Sequence, residues 1–342
     1  MRHINIPIFI PHLGCPNQCV FCNQRTISGQ ASFSLGDVKN QIDRSISTIN
    51  EPSEVEIAFF GGSFTGIDRE LMVDLLEIAY SYVVQGKVNS IRCSTRPDYI
   101  NEEILGILKK YGVKTIELGL QSVCDNVLAT TKRGHSFSDE EKACELIIKH
   151  GFDLVGQMMI GLPGADVKSE IDTADFIIKS GAIAARIYPT VVFCETELAK
   201  MTTDGVYKPL AVDEAVKRSA LIFERFVEAG IEVIRIGLQS NENLSSDKTY
   251  VAGPNHPALG ELVIGEYYFN RICEIIKNKE LSSDSELIIY VAPGAISKAV
   301  GQNKINKTRL QKICKSVKFS SLGTLFQYEL LVDIKNGEKK CT

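Results

Sequence analysis

Residues 4–24 read INIPIFIPHLGCPNQCVFCNQ, an apolar run followed by Cys15, Cys19 and Cys22, with three residues and then two between the thiols. The run Ile4–Ile10 is short and rich in β-branched residues, which predicts a strand. The thiols then fall in the loop that leaves that strand. Working outward, the same rhythm repeats. Strands are expected at Val55–Phe60, Ser90–Cys93, Thr115–Leu118, Leu154–Met159, Arg186–Val192 and Glu232–Ile236. Between them Asp37–Ile49, Arg69–Val84, Glu102–Tyr111, Asp139–His150, Val167–Lys179 and Val212–Glu228 carry apolar residues three and four apart, as helices do. Gly112, Gly151, Gly181 and Gly230 follow helices as stop signals, and Ser138 with Glu141 forms a capping-box candidate. Strand–helix alternation means parallel strands with crossover helices, and six or seven units in about 240 residues indicate a partial (β/α)6-type TIM barrel, an α/β fold. Chemistry belongs at the C-terminal ends of such strands, and the cysteine loop is the first loop there.

After Gly237 the rhythm fails. SNENLSSDKTYVAGPNHPALG (240–260) is polar and rich in turn formers, a boundary or lid. A helix (Glu261–Lys277), a strand (Glu286–Val291), a basic helical stretch (Ala295–Lys315) and a last strand (Thr324–Asp333) follow. The expected division is a barrel over 1–240, with its cysteine loop at 11–30, and a small α+β C-terminal extension or lid over 241–342, basic from 298. From Lys298 onward ten Lys or Arg face three acidic residues, +7 in a chain of net charge −4. The chain has 44% hydrophobic and 23% charged residues, an ordinary globular balance with no apolar stretch of membrane-span length. The N-terminal apolar stretch has no cleavage pattern, so the chain reads as cytoplasmic, where its ten cysteines stay reduced.

Three thiols within eight residues ask for a reason. Structural zinc wants four ligands, usually in two pairs, and the nearby fourth candidate is His12. Thioredoxin-type redox needs only CxxC. Three thiolates converging on one small volume suit three irons of a [4Fe–4S] cube, leaving the fourth iron open to a ligand. The cube is the favoured reading, with zinc as the alternative.

CxxxCxxC with an aromatic, Phe21, before the last Cys resembles the radical S-adenosylmethionine (SAM) superfamily. That resemblance implies a [4Fe–4S] cluster on Cys15, Cys19 and Cys22, SAM on its open iron, and reductive cleavage of SAM to a 5′-deoxyadenosyl radical that abstracts a substrate hydrogen. It also implies an external electron donor of flavodoxin or ferredoxin type. FFGGSFTG, with Gly61, Gly62 and Ser63, resembles the glycine motif that receives the SAM amino group. GQMMIGLPG resembles the stretch against the adenine, which implicates Gln157 and Met159. ELGLQS and TTKRGHS resemble the branch holding the elongator catalytic subunit and oxygen-independent coproporphyrinogen oxidase, where the matching Gln and Arg meet SAM's ribose and carboxylate; these are Gln121 and Arg133 here. CSTRPDYI keeps Arg96 and Asp98 of that branch but has Ser94 where the branch has Glu.

IYPTVVFCETELAKM, then GVYKP, and VAGPNHPALGELV resemble elongator-subunit stretches and make Tyr188, Lys208 and His256 substrate-contact candidates, with Phe64 a candidate for stacking on a base. No segment reads as an acyl-CoA loop, so an activity other than acetyl transfer is expected. A short relative, queuine lyase, frees queuine from queuosine or its 5′-phosphate by radical C–N cleavage, with tail lysines such as Lys298, Lys304 and Lys307 suited to a phosphate. That activity on a small nucleoside or nucleotide is the narrow expectation. Radical SAM modification of a nucleoside or of tRNA is the alternative, and a non-catalytic iron–sulfur RNA-binding protein a third. IYVAPGAISKAVGQNKINKTRLQKI resembles a KH-type RNA loop, although GQNK lacks the second glycine of GxxG. The other cysteines read as small buried hydrophobes, with Cys194 a candidate for the active cavity.

Overall fold

The computed structural model describes residues 2–10, 15, 19–23, 34–238, 249–277, 279 and 281–335. His12, Cys341, most of the 11–30 loop, residues 239–240 and the 241–248 part of the expected lid lie outside the described residues. The described chain forms two compact units: residues 1–210 with 231–255, and residues 211–230 with 256–342. The division therefore does not follow a single cut after residue 240.

The first unit is built on seven parallel strands, ordered β1 (Arg2–Ile10), β2 (Ser53–Gly61), β3 (Ser90–Thr95), β4 (Val113–Gln121), β5 (Asp153–Ile160), β6 (Ala184–Pro189) and β8 (Glu232–Ile236). This curled sheet, unclosed between β1 and β8, is the partial barrel. The crossover helices are α1 (Leu35–Ser47), α2 (Arg69–Val84), α3 (Glu102–Lys110), α4 (Asp125–Thr130) with α5 (Phe137–Lys149), and α6 (Val167–Lys179). Their starts are fixed locally: Asp68 and Asn101 accept from backbone N–H groups of the first turns of α2 and α3. At α5 the capping box uses Ser136 and Asp139, not Ser138 and Glu141; the Ser136 N–H donates to Asp139 Oδ2 at 2.8 Å.

Strand six ends at Pro189, short of the expected Val192. The chain breaks at Thr190, whose hydroxyl donates to the Ile160 carbonyl at 2.8 Å, and resumes as β7 (Val192–Phe193), antiparallel to β9 (Tyr250–Ala252). α7 (Glu197–Thr203) follows β7. No described helix is long and apolar enough to cross a membrane.

The second unit packs α8 (Val212–Glu228) on α9 (Leu259–Lys277) through Phe223, Tyr267 and Tyr328, whose rings meet edge to face at 5.0 to 6.1 Å. Its sheet is ordered β11 (Ser316–Ser321), β10 (Glu286–Val291), β12 (Leu330–Lys335), with β10 parallel to β11 and antiparallel to β12. Two expectations fail here. The helical stretch 295–315 is two short helices, α10 (Ile296–Val300) and α11 (Ile305–Leu310), split at Gly301–Lys304. The last strand starts at Leu330, and β11 is an additional strand, its run SVKFSS carrying too few apolar residues to announce it.

Candidate functional site

Alternate residues of each barrel strand point to the two faces of the sheet. One face is apolar: Ile57, Phe59, Ile91, Cys93, Ile116, Leu118, Leu154, Met158 and Ile187 are buried. The other carries one charged residue in mid-strand: Glu56, Arg92, Glu117 and Arg186. Side-chain bonds join them across the sheet, Arg186 of β6 reaching over β5 to Glu117 of β4. Arg92 Nε donates to Glu56 Oε2 at 2.9 Å and its Nη1 to Glu117 Oε1 at 2.9 Å; Arg186 Nη2 donates to the same Oε1 at 2.8 Å. Gln157 Nε2 donates to Glu117 Oε2 at 2.8 Å, and Arg186 Nη1 to the Tyr188 hydroxyl at 3.4 Å. These four charged residues were not singled out from the sequence. Their signal was present, one charge inside each of the short runs VEIAFF, SIRCST, TIELGL and ARIYPT.

The network accounts for Ser94. Ser94 pairs across the strands with Glu117, and its hydroxyl lies 3.4 Å from Glu117 Oε2. A Glu at 94 would bring a second carboxylate against the first.

At the C-terminal strand ends a second cluster forms. Cys19 is buried, and Cys15 and Cys22 are half-buried. Arg133 Nη1 lies 3.4 Å from Cys19 Sγ and Arg96 Nη1 3.8 Å from it. Arg96 is locked: it forks onto Asp98 at 2.9 and 3.0 Å and donates to the Arg133 carbonyl. Arg133 is different. It is 6% exposed, bonds the Gly119 carbonyl, leaves Nε without a partner, and meets no carboxylate of the described residues within 4 Å. A surface salt bridge, the ordinary use of such an Arg, is therefore not its role.

Beside it Gln121 ends β4 at φ 73, a left-handed backbone rare for a non-glycine residue, and its Oε1 is buried without a partner. Burial pushes the Cys15 thiol up, against the opposing pull of the Ser63 backbone amide and the Arg96 charge. Among the described residues, no three His, Cys, Asp or Glu side chains stand as a ready set of metal ligands. What fits a thiolate-bound cluster and an anionic, hydrogen-bonding ligand is the chemistry of the surroundings: two guanidiniums on a buried thiol, with unpartnered Arg133 Nε and Gln121 Oε1 beside them.

Behind Asp98 lies a pair that sequence reasoning did not raise. His135 and Glu140 have fully buried side chains, with Nε2 2.9 Å from Oε1, and His135 Nδ1 faces Asp98 Oδ1 at 3.7 Å. Burial, then the Arg133 charge, push the imidazole down to about 3. Burial pushes the Glu140 carboxyl well above its usual range. Both shifts favour the uncharged forms, the two groups share one hydrogen bond, and the pair backs the Asp98 that holds Arg96.

The remaining sequence candidates divide. Ser63 is buried and hydrogen-bonds Thr95 at 2.8 Å. Gly61, at φ 119, has a structural reason: a Cβ there would lie 2.2 Å from the Ile10 carbonyl oxygen. Gly62 follows it in the βα turn, and Phe21 and Met159 are half-buried. Phe64 is 2% exposed and stacks on Phe59 at 4.5 Å, so it belongs to the core and not to a wall open to a base. Lys208 is exposed beside Tyr207, whose hydroxyl donates to the Gly161 carbonyl at 2.6 Å. His256 falls in the other unit, and its Nδ1 accepts from the Ala258 N–H at 3.1 Å. The Cys194 N–H is tied to the Thr249 carbonyl at 2.9 Å. A cleft of about 430 Å³ lined by Asn5, Ser45, Thr48, Glu51 and Ser53 contains none of the candidates.

Residues 9–177 match the family described as the Radical SAM superfamily, and residues 183–268 the Radical_SAM C-terminal domain. An uncharacterized protein of Methanocaldococcus jannaschii is 30% identical over 288 residues, covering 80% of this chain and 84% of that protein. The tRNA uridine(34) acetyltransferase of the same organism is 30% identical over 185 residues, 48% of this chain and 34% of its own length. Human Elongator complex protein 3 is 24% identical, over 62% of this chain and 46% of that protein. The chain thus spans about a third to a half of these two named relatives. Among solved structures, an archaeal Elp3 from Methanocaldococcus infernus superposes with a TM-score of 0.59 at 21% identity, over 81% of this chain and 64% of that one.

Proposed function

We propose that this chain, which belongs to the radical SAM superfamily, holds a [4Fe–4S] cluster on Cys15, Cys19 and Cys22 and uses SAM to act on a nucleoside unit. The observation that carries the reading is Arg133, a buried guanidinium on Cys19 with no carboxylate of its own. When bound, the cluster and SAM supply reductive generation of a carbon radical able to abstract hydrogen. The chain's residues do the rest. Arg133 binds the SAM carboxylate through its fork, and Gln121 Oε1 accepts from a ribose hydroxyl. Arg96, held by Asp98, keeps its place beside the thiols. The polar face of the sheet, from Gln157 to Tyr188, suits a substrate that makes many hydrogen bonds, and Tyr188 offers an aromatic surface to a flat base. Similarity to tRNA uridine(34) acetyltransferases supports a nucleoside as the substrate.

The narrow form of the reading is release of queuine from queuosine or its 5′-phosphate. Anaerobic reconstitution should load about four irons per chain. With reductant and SAM the loaded protein should form 5′-deoxyadenosine, and Cys15→Ala, Cys19→Ala and Cys22→Ala should each abolish both results. A single zinc per chain would overturn the assignment. 5′-Deoxyadenosine without queuine, from either queuosine substrate, would remove the narrow form and leave transfer RNA as the substrate to assay.

A further inference from the structure

The C-terminal residues 286–335 have a separate design. β10 leads into α10, a tight turn, α11, then β11 and β12. The turn is Gly301-Gln302-Asn303-Lys304, closed by the Lys304 N–H on the Gly301 carbonyl at 3.0 Å. Gly301, Asn303 and Lys304 all have positive φ, at 78, 53 and 60. Lys304 thus adopts, at a cost, the left-handed backbone that the second glycine of a GxxG turn would take freely. The turn is pinned from below: buried Asn306 donates to the Gly265 and Ala299 carbonyls at 2.7 and 3.0 Å.

The surface around it is one-signed. Residues 296–318 contain seven Lys or Arg and no Asp or Glu. Arg309 is used internally, bound to Glu266 at 2.6 Å over the Phe269 ring. Lys298, Lys304, Lys307 and Lys312 have no ion-pair partner among the described residues. Two large apolar side chains stand exposed at the first residues of the flanking helices, Ile296 at 37% and Ile305 at 52%. They give apolar surface to both helices that flank the turn.

We infer that residues 286–335 are a KH-like module that binds a single-stranded polynucleotide, with phosphates at the Gly301–Lys304 turn and its lysines and bases against Ile296 and Ile305. In modules of this type such a turn clamps the backbone of about four nucleotides while the bases lie on adjoining apolar surface. A lone phosphate would leave the isoleucines unexplained, and an acidic peptide would not require the turn. This goes beyond the radical reading and is tested apart from it, because binding needs neither SAM nor reductant.

The experiment is fluorescence anisotropy of the full chain with a short labelled single-stranded RNA, the DNA of the same sequence, a duplex RNA, and poly-glutamate as competitor, over a salt series. Wild type should bind the single strands, the RNA and DNA arms identifying which is preferred. Gln302→Asp/Asn303→Asp alters two exposed side chains, so the fold should persist by circular dichroism while affinity falls about tenfold or more. Lys304→Gly keeps the turn and removes one cation, so the slope of log affinity against log salt should fall by about 0.7. No binding of either single strand at low salt would overturn the module. So would equal competition by poly-glutamate or duplex, or wild-type affinity in the folded double variant.

Discussion

Arg92, in mid-barrel, rests on carboxylates of both adjacent strands and Arg186 reaches over β5 to Glu117 on β4, whereas Arg133, at the strand ends, rests on no carboxylate of the described residues. All three are buried to within 10% exposure. A buried charge that has its partners is a framework, because removing either partner leaves the other uncompensated. A buried charge without a carboxylate costs stability and is kept for a ligand. The same side chain is thus structural in one place and functional in another, and only its surroundings distinguish the two.

The largest effect should come from breaking the framework. Glu117→Ala strands Arg92 and Arg186 and should lower stability by about 3–5 kcal/mol in urea denaturation. A loss near that of an exposed pair, under about 1 kcal/mol, would deny the distinction. Arg133→Met should act in the opposite sense. Stability should hold or rise, while SAM affinity of the loaded protein, measured by titration calorimetry, drops by about 1.5–3 kcal/mol. Unchanged SAM binding would return Arg133 to a packing role.

The His135–Glu140 pair sharpens the comparison through pH. His135 is depressed to about 3 from 6.5, so its share of stability is present above 6.5 and lost as pH falls towards 3. Glu140 is raised from 4.5, so its share is present below 4.5 and lost as pH rises. Above 4.5 the two proton balances oppose one another, which flattens this pair's contribution there. Glu140→Gln removes the opposing limb, so acid destabilisation of the variant should begin near 6.5 and run steeper than in wild type just above 4.5, by up to about 1.4 kcal/mol per pH unit. Identical pH profiles for variant and wild type would show that the pair does not titrate in this way. Least affected should be Ser94→Ala, whose two contacts are both 3.4 Å long; a change under about 0.5 kcal/mol is expected, and a larger one would make the hydroxyl part of the network.

Much of the fold could be read along the chain, and the places where the reading slipped share a cause. Six barrel strands and the major helices follow from periodicity, which is local. Strand six was extended through Thr190 because VV continues the apolar run; the hydroxyl's tertiary bond to Ile160 ends it. β11 was missed because SVKFSS offers too few apolar residues to announce a strand that pairs only with β10. Phe64 looked available to a base because a loop aromatic carries no mark of being stacked beneath that loop.

By itself the sequence determined the strand–helix order, the position of the cysteines after strand one and the one-signed charge near the C-terminus, because spacing and composition are properties of neighbours. It did not determine which charges meet. Glu56, Arg92, Glu117 and Arg186 are separated by 25 to 69 positions along the chain wherever they touch, and the parallel register alone brings them together. The same holds for Arg133, 114 residues from Cys19, and for Lys304, whose left-handed backbone depends on an asparagine anchored to another helix. Contact between distant residues is set by register and packing, and these exist only once the chain has folded.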